Sequence, residues 1–189
     1  MSINVTGRHI DMSPAITSHA VEGIQGLLEK YNMDAIGGDV IFLKPSHVFE
    51  ADISLHLKRG VYLRTKGEGD TAYLAMDQAC HKLETKIRKH KKMLDHHHKM
   101  RDQHLEKVEA LDRVLDSSIE DHEPSQEHPP IIAETTTDVP TLSVSEAVMR
   151  MDLGDLHTII FKNPKHGGLN VLYRRQDGNI GWVDPSLIS

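Results

Sequence analysis

Apolar residues alternate with polar ones over the first stretch of the chain. Ile3 and Val5 stand out among polar neighbours in SINVTGR, which reads as a strand closed by Gly7. Ser13-Pro14 then supplies an N-cap and a proline suited to a first helical position. Behind it Ile16, Ala20, Ile24 and Leu27 recur at spacings of four, four and three, one face of a helix that fades near Tyr31-Asn32. DVIFLK, from Asp39 to Lys44, predicts a second strand. In FEADISLHLK, Ala51, Ile53, Leu55 and Leu57 alternate with Glu50, Asp52, Ser54 and His56. Arg59-Gly60 turns the chain into VYLRTKG, where Val61, Leu63 and Thr65 share a face. After Glu68-Gly69-Asp70-Thr71 a long helix carries Ala72, Ala75, Met76, Ala79, Leu83 and Ile87 on one side. The order β-α-β-β-β-α predicts an α+β domain with an antiparallel sheet and its helices on one face. The helical pattern thins after Ile87, although Leu94, Leu105, Val108, Leu111 and Leu115 can extend it beyond the domain.

The last fifty residues carry a second pattern. SVSEAVMRMDLGD has a capping-box spacing from Ser143 to Glu146, an apolar face at Ala147, Val148 and Met151, and a stop at Gly154. HTIIFKN, GLNVLYRR and NIGWVDP then predict three strands joined by turns at residues 164–168 and 176–179. A lone domain below about 70–80 residues normally needs a disulfide, a metal or a partner copy. The single cysteine, Cys80, excludes an internal disulfide. Ile159-Ile160-Phe161 and Val171-Leu172-Tyr173 are also unusually apolar for a small solvated sheet. A homodimer through this C-terminal domain is therefore expected.

Charge divides the chain further. The net formal charge is −6, yet residues 1–111 hold 16 Lys and Arg against 15 Asp and Glu. Residues 112–140 hold Arg113 against eight acids, and residues 141–189 hold five of each sign. The acidic stretch is rich in Ser, Thr and Pro and lacks either structural period, so it is expected to be a disordered linker. Three parts follow: 1–111, a domain with a helical extension; 112–138, an acidic linker; 139–189, the dimerisation domain. No apolar run is long enough for a membrane helix, and MSINVTGRHIDMS lacks a secretory pattern, so a cytoplasmic protein is expected.

Against this background KLETKIRKHKKML, residues 82–94, stands out with six Lys and Arg and one acid. With Leu83 at zero, Lys86, Lys82 and Lys89 fall at about −60°, −100° and −120° around the helix. They form a stripe beside the apolar seam, while Arg88, Lys91 and Lys92 take other exposed azimuths. Cations spaced about one turn apart repel one another, so the stripe reads either as a solvated face or as a phosphate-binding helix. Arg8, Lys58, Arg59, Arg64 and Lys66 can extend it into a basic surface. No aromatic sheet motif for base stacking is present, which favours backbone recognition of structured RNA.

Other chemistry finds little support. The 14 histidines include His96-His97-His98 and a seven-residue recurrence at His90, His97 and His104, without the i, i+4 spacing of helical metal ligands. No metal, cofactor or catalytic residue is expected, since a Gly-rich phosphate loop, GxSxG and HExxH are all absent and Cys80 has no catalytic context. The competing class is a protein-interaction regulator, for instance of a transcription factor, working without RNA.

MSINVTGRHI and YLAMDQACHKLETKIRKHK, in a β-α-β-β-β-α order, resemble the ribosome hibernation promoting factors, also called the ribosome-associated translation inhibitor family. The positions that carry the likeness are Tyr73, Ala75, Met76, Asp77, then Lys82-Leu83, then Lys89-His90-Lys91. SVSEAVMRMDL, IIFKN and NVLYRRQDGNIGWVDP are similar to the tail of the family's long form, through Met151-Asp152-Leu153, Tyr173-Arg174-Arg175 and Asp177-Gly178-Asn179. The resemblance implies a first domain similar to double-stranded-RNA-binding folds, seated on 16S rRNA in the decoding channel of the small ribosomal subunit and blocking messenger and transfer RNA. It implies a tail that joins two idle 70S ribosomes. Ile159, Phe161, Val171 and Tyr173 are read as pointing outward, Phe161 at the position of a key aromatic. Phe161→Asp is accordingly expected to spare ribosome binding and abolish pairing.

Overall fold

A computed structural model describes residues 2–99, 108–116 and 130–185. The chain forms two compact units, Met1–Arg101 with Ser145–Ile159, and Asp102–Val144 with Ile160–Ser189.

The first unit contains β1 (Ser2–Arg8), α1 (Pro14–Lys30), β2 (Ala35–Leu43), β3 (Phe49–Leu57), β4 (Val61–Gly69), α2 (Ala72–Lys99) and nearly all of α3 (Val144–Leu153). Its sheet runs β1-β2-β3-β4. β1 pairs with β2 in parallel, which corrects the expectation of a wholly antiparallel sheet. The reason is the α1 crossover: neighbouring strands joined through a helix run the same way. The remaining pairs are antiparallel and register Asp52 opposite Lys66 and Ser54 opposite Arg64.

Local chemistry sets the ends of the helices. Ser13 caps α1 by accepting from the Ile16 N–H at 3.4 Å, and Pro14 opens the helix. Thr71 accepts from the Leu74 N–H at 3.2 Å at the head of α2. The expected apolar faces are buried: Ile16, Ala20 and Ile24 from α1, and Ala75, Met76, Ala79, Leu83 and Ile87 from α2. They share one core with Val40, Phe42, Ile53, Leu55 and Leu63. Leu28, rather than Leu27, completes the α1 face. Strict alternation along β4 buries Val61, Leu63 and Thr65 and leaves Tyr62, Arg64 and Lys66 on the open face of the sheet. Gly67 lets α2 lie directly on β4, because a Cβ there would stand 2.2 Å from the Ala75 carbonyl oxygen and 2.4 Å from the Ala79 nitrogen.

Residues 145–159, expected with 139–189, group with the first unit in the structure, where Met149 and Leu153 join the core. Helical continuation through Val108 and Leu111 is also corrected: β5 (Val108–Leu115) is a strand paired antiparallel with β6 (Ile131–Val139). Both strands reach into the segment expected to be disordered, 112–138. β-branched residues such as Val114, Ile131, Ile132 and Thr135 favour an extended backbone even where it is exposed. Residues 117–129 of that segment lie outside the described residues, as does His104.

Apart from Thr158 and Ile159, the rest of the second unit is a sheet ordered β7 (Thr158–Lys162), β8 (Leu169–Arg174), β9 (Ile180–Val183), the three strands expected. Segment 140–142 joins its β7 edge: Lys162 N–H donates to the Pro140 carbonyl at 2.9 Å, and Leu142 N–H donates to the Lys162 carbonyl at 3.0 Å. Gly178, at φ 82°, turns β8 into β9. Among the described residues no helix is long and apolar enough to cross a membrane.

Candidate nucleic-acid interface

The cation stripe of α2 lies along the free edge of the sheet. β4 is the edge strand, and its outward carbonyls lack a neighbouring strand. Two lysines of the stripe meet them. Lys82 Nζ donates to the Lys66 carbonyl and Lys86 Nζ to the Arg64 carbonyl, each at 2.9 Å. The spacing of four residues on the helix thus matches two residues along the strand, since about 6 Å of helical rise faces about 6.6 Å of strand.

On the open face, Asp52 of β3 fixes two more cations. Arg64 donates through Nε to Asp52 Oδ1 at 3.2 Å and through Nη2 to Oδ2 at 2.8 Å, a two-pronged pair. Lys66 Nζ stands 3.7 Å from Asp52 Oδ2. The hydrogen bond to Asp52 and its charge hold the Arg64 guanidinium above its ordinary pKa. Arg64, Lys66, Lys82 and Lys86 consequently line one open groove of about 420 Å³, together with Thr65, His81, Thr85 and Asp155.

The remaining expected site residues divide into other places. Lys89 continues the stripe and donates to Asp152 Oδ2 at 3.1 Å. Arg88 and Lys91 lie on the α1 flank of α2. There Glu84 accepts from Lys30 at 2.7 Å and from the Tyr31 hydroxyl at 2.9 Å, and Lys91 Nζ sits 5.8 Å from the Tyr31 ring centre. The Arg88 charge acts on the same group, opposing the rise that Glu84 imposes on the Lys30 pKa. Lys92 is exposed on the helix. Lys58 donates to Asp34 at 2.9 Å at the β3–β4 turn. The Arg59 side chain lies outside the described residues, as do those of His96, His97 and His98. Arg8 is exposed at the end of β1, three strands from β4 and so ~15 Å across the sheet. The groove therefore gathers four of the expected cations, with Lys89 adjoining.

Sequence reasoning missed Asp52, Asp152 and Asp155 as partners of these cations. Asp52 was within reach, because a hairpin that pairs Leu57 with Val61 must also set Asp52 against Lys66. The two α3-side acids carry no such local signal.

In the second unit the outward reading of Phe161 is corrected. Phe161 is fully buried, as are Leu172 and Asn170. Ile159 and Val171 are half-buried and Tyr173 is exposed. Asn170 Oδ1 accepts from Asn163 and from the Trp182 indole N–H, each at 3.0 Å, so the buried face has an internal polar tie. The outward face of β8 instead carries Leu169, Val171 and Tyr173, with Val183 paired to Val171.

The first unit is thus a small α/β domain with a cationic groove beside α2, and a β-rich tail follows it in the chain. The sequence profile described as "Sigma 54 modulation protein / S30EA ribosomal protein" matches residues 3–95. Its C-terminal counterpart, "Sigma 54 modulation/S30EA ribosomal protein C terminus", matches residues 126–181. The chain is 36% identical to the ribosome hibernation promotion factor of Rhizobium meliloti, covering 100% of this chain and 99% of that one. It is 29% identical to the protein of the same name from Bacillus subtilis, over 98% of this chain and 100% of that one. It is similar to a ribosomal subunit interface protein from Coxiella burnetii, at 25% identity and a TM-score of 0.44, over 49% of this chain and 99% of that one. The chain belongs to the ribosome hibernation promoting factor family, in its long form. That family is non-enzymatic and regulates translation.

Proposed function

We propose that the first unit binds the small ribosomal subunit through 16S rRNA, with phosphates seated in the α2–β4 groove. Bound there it occupies the decoding channel and excludes messenger and transfer RNA, so the protein silences idle ribosomes in the cytoplasm. The observation that carries this reading is the convergence of Arg64, Lys66, Lys82 and Lys86 on one groove. A row of cations fixed by backbone carbonyls and by Asp52 presents charge at set positions, which suits phosphate recognition without base readout. Lys82 spends one of its three N–H donors on the Lys66 carbonyl, and phosphate oxygens can take the others.

The second unit, on this reading, pairs with its counterpart on another ribosome and joins two 70S particles. Its support is the exposed apolar face of β8 and β9, around Leu169, Tyr173 and Val183.

The discriminating experiment is co-sedimentation with purified ribosomes. Converting Lys82, Lys86 and Lys89 together to Glu is expected to lower binding by about a hundredfold or more, since each lost phosphate contact also forfeits counterion release. Undiminished co-sedimentation of that variant would overturn the RNA reading and favour a regulator that works through an apolar protein contact.

A further inference from the structure

Residues 145–159 lie on the same elements that form the groove. Asp152 Oδ2 accepts from His90 Nε2 at 2.6 Å and from Lys89 Nζ at 3.1 Å, both on α2. Arg150, itself buried, donates through Nη1 to the Gly60 carbonyl at the β3–β4 turn, at 3.2 Å. Asp155 lines the groove beside Arg64, Lys66, Lys82 and Lys86, and its charge acts on Arg64. Met149 and Leu153 are fully buried in the core that contains Leu57, Val61, Ile87 and Leu94. Two apolar anchors, one buried guanidinium and two carboxylates thus hold this segment on the basic side of α2. The carboxylates stand where phosphates would.

We infer that residues 145–159 are a built-in competitor for the RNA groove, and that ribosome binding requires Asp152 and Asp155 to give up Lys89 and the groove cations. The inference rests on the reading of the α2–β4 groove as the RNA interface. A carboxylate and a phosphate cannot share the Lys89 ammonium at hydrogen-bond distance without repulsion. Only the undocked population offers the full stripe, so the apparent affinity for RNA is the intrinsic affinity reduced by the undocked fraction. Linkage makes the effect reciprocal: a bound ribosome must loosen the segment by the same factor that docking weakens binding.

The test uses the full-length chain and isolated 30S subunits, with Arg150→Ala and Asp152→Asn measured beside the parent and beside the Lys82/Lys86/Lys89→Glu variant. Arg150→Ala is diagnostic because it removes a positive charge, so simple electrostatics predicts weaker binding to RNA. Loss of docking predicts the opposite, binding tighter by about fivefold or more. Asp152→Asn is nearly isosteric and keeps the test alive if the buried arginine proves necessary for folding; it too should bind more tightly. Hydrogen exchange of residues 145–153 should rise in both variants, and in the parent when 30S subunits are added. Unchanged or weaker binding in both variants, or α3 amides that stay protected on the subunit, would overturn the competitor while leaving the RNA interface standing. Retained binding by the triple-Glu variant would instead remove the interface on which it depends.

Discussion

Asp52 determines where two of the groove's cations point. It stands in the middle of the open sheet face, where the side chains of Arg64 and Lys66 can both reach it. Period-two alternation and the hairpin turn suffice to place this trio, so this part of the site was legible in the sequence. What alternation could not give is the choice made by Lys82 and Lys86, which lie over backbone carbonyls rather than beside acids. That choice depends on how closely α2 approaches β4, and the approach is set by the missing Cβ of Gly67. Cys80, by contrast, is a residue whose environment argues against chemistry. Burial, helped by the nearby Asp77 charge, pushes its thiol from 9.0 up to about 11. At pH 8 that leaves about a hundredfold less thiolate than in the unfolded chain, so labelling by a thiol-specific disulfide reagent should be slower by about that factor in the native protein than in denaturant. Equal rates in the two states would show that the thiol is not held as the structure places it.

At the scale of elements, α2 presents three distinct sides. One carries the buried seam from Ala75 to Leu94, one the sheet-edge lysines, and one the ion pairs toward α1. The first two follow from a helical wheel of the sequence alone. The position of α3 does not, because its partners are more than sixty residues away along the chain: residues 89 and 90 meet residue 152. β5 and β6 were hidden for another reason. Their composition is that of a solvated linker, and only cross-strand pairing, such as Arg113 with Glu134 at 2.7 Å, reveals the ribbon. The α3 contact has a definite pH signature. Burial alone would raise the Asp152 pKa above its ordinary 3.8, but the hydrogen bonds from His90 and Lys89 outweigh it, and the net shift is downward. A carboxylate with a lowered pKa in the docked state favours docking above its ordinary value and ceases to do so as pH falls through the lowered one. The protection factors of the α3 amides, taken relative to the intrinsic exchange rate at each pH, should therefore fall as the pH drops below about 4. In Asp152→Asn the acid step should disappear; a step of equal size in the variant would assign it to another group.

At the scale of the whole molecule, the proposed self-pairing surface is one face of a small sheet, and this makes the inward or outward sense of a strand decisive. Alternation shows which residues share a face; it does not say which face is covered. Phe161 and Tyr173 illustrate the difficulty. Both lie on short apolar strands and both look suited to a self-pairing surface. Yet Phe161 is fully buried within one chain, whereas Tyr173 lies outside with its ring over Gly181, 2.3 Å from where a Cβ would stand. Substitution at the two positions should therefore fail in different ways. Phe161→Asp places a charge in a dry core and should cost ~4 kcal/mol or more, enough to unfold a sheet this small. Any loss of ribosome pairs in that variant would follow from unfolding. Tyr173→Asp combined with Val183→Asp changes only the outward face, so it should leave thermal unfolding within a few degrees of the parent. Each 70S particle should still bind one copy of that double variant, through the first unit, while the paired-particle peak in a sucrose gradient disappears. Burying two facing carboxylates from each copy makes the pairing repulsive as well as less apolar. If paired particles persist at the parent level with the double variant bound and folded, the outward face of β8 and β9 is not where the two copies meet.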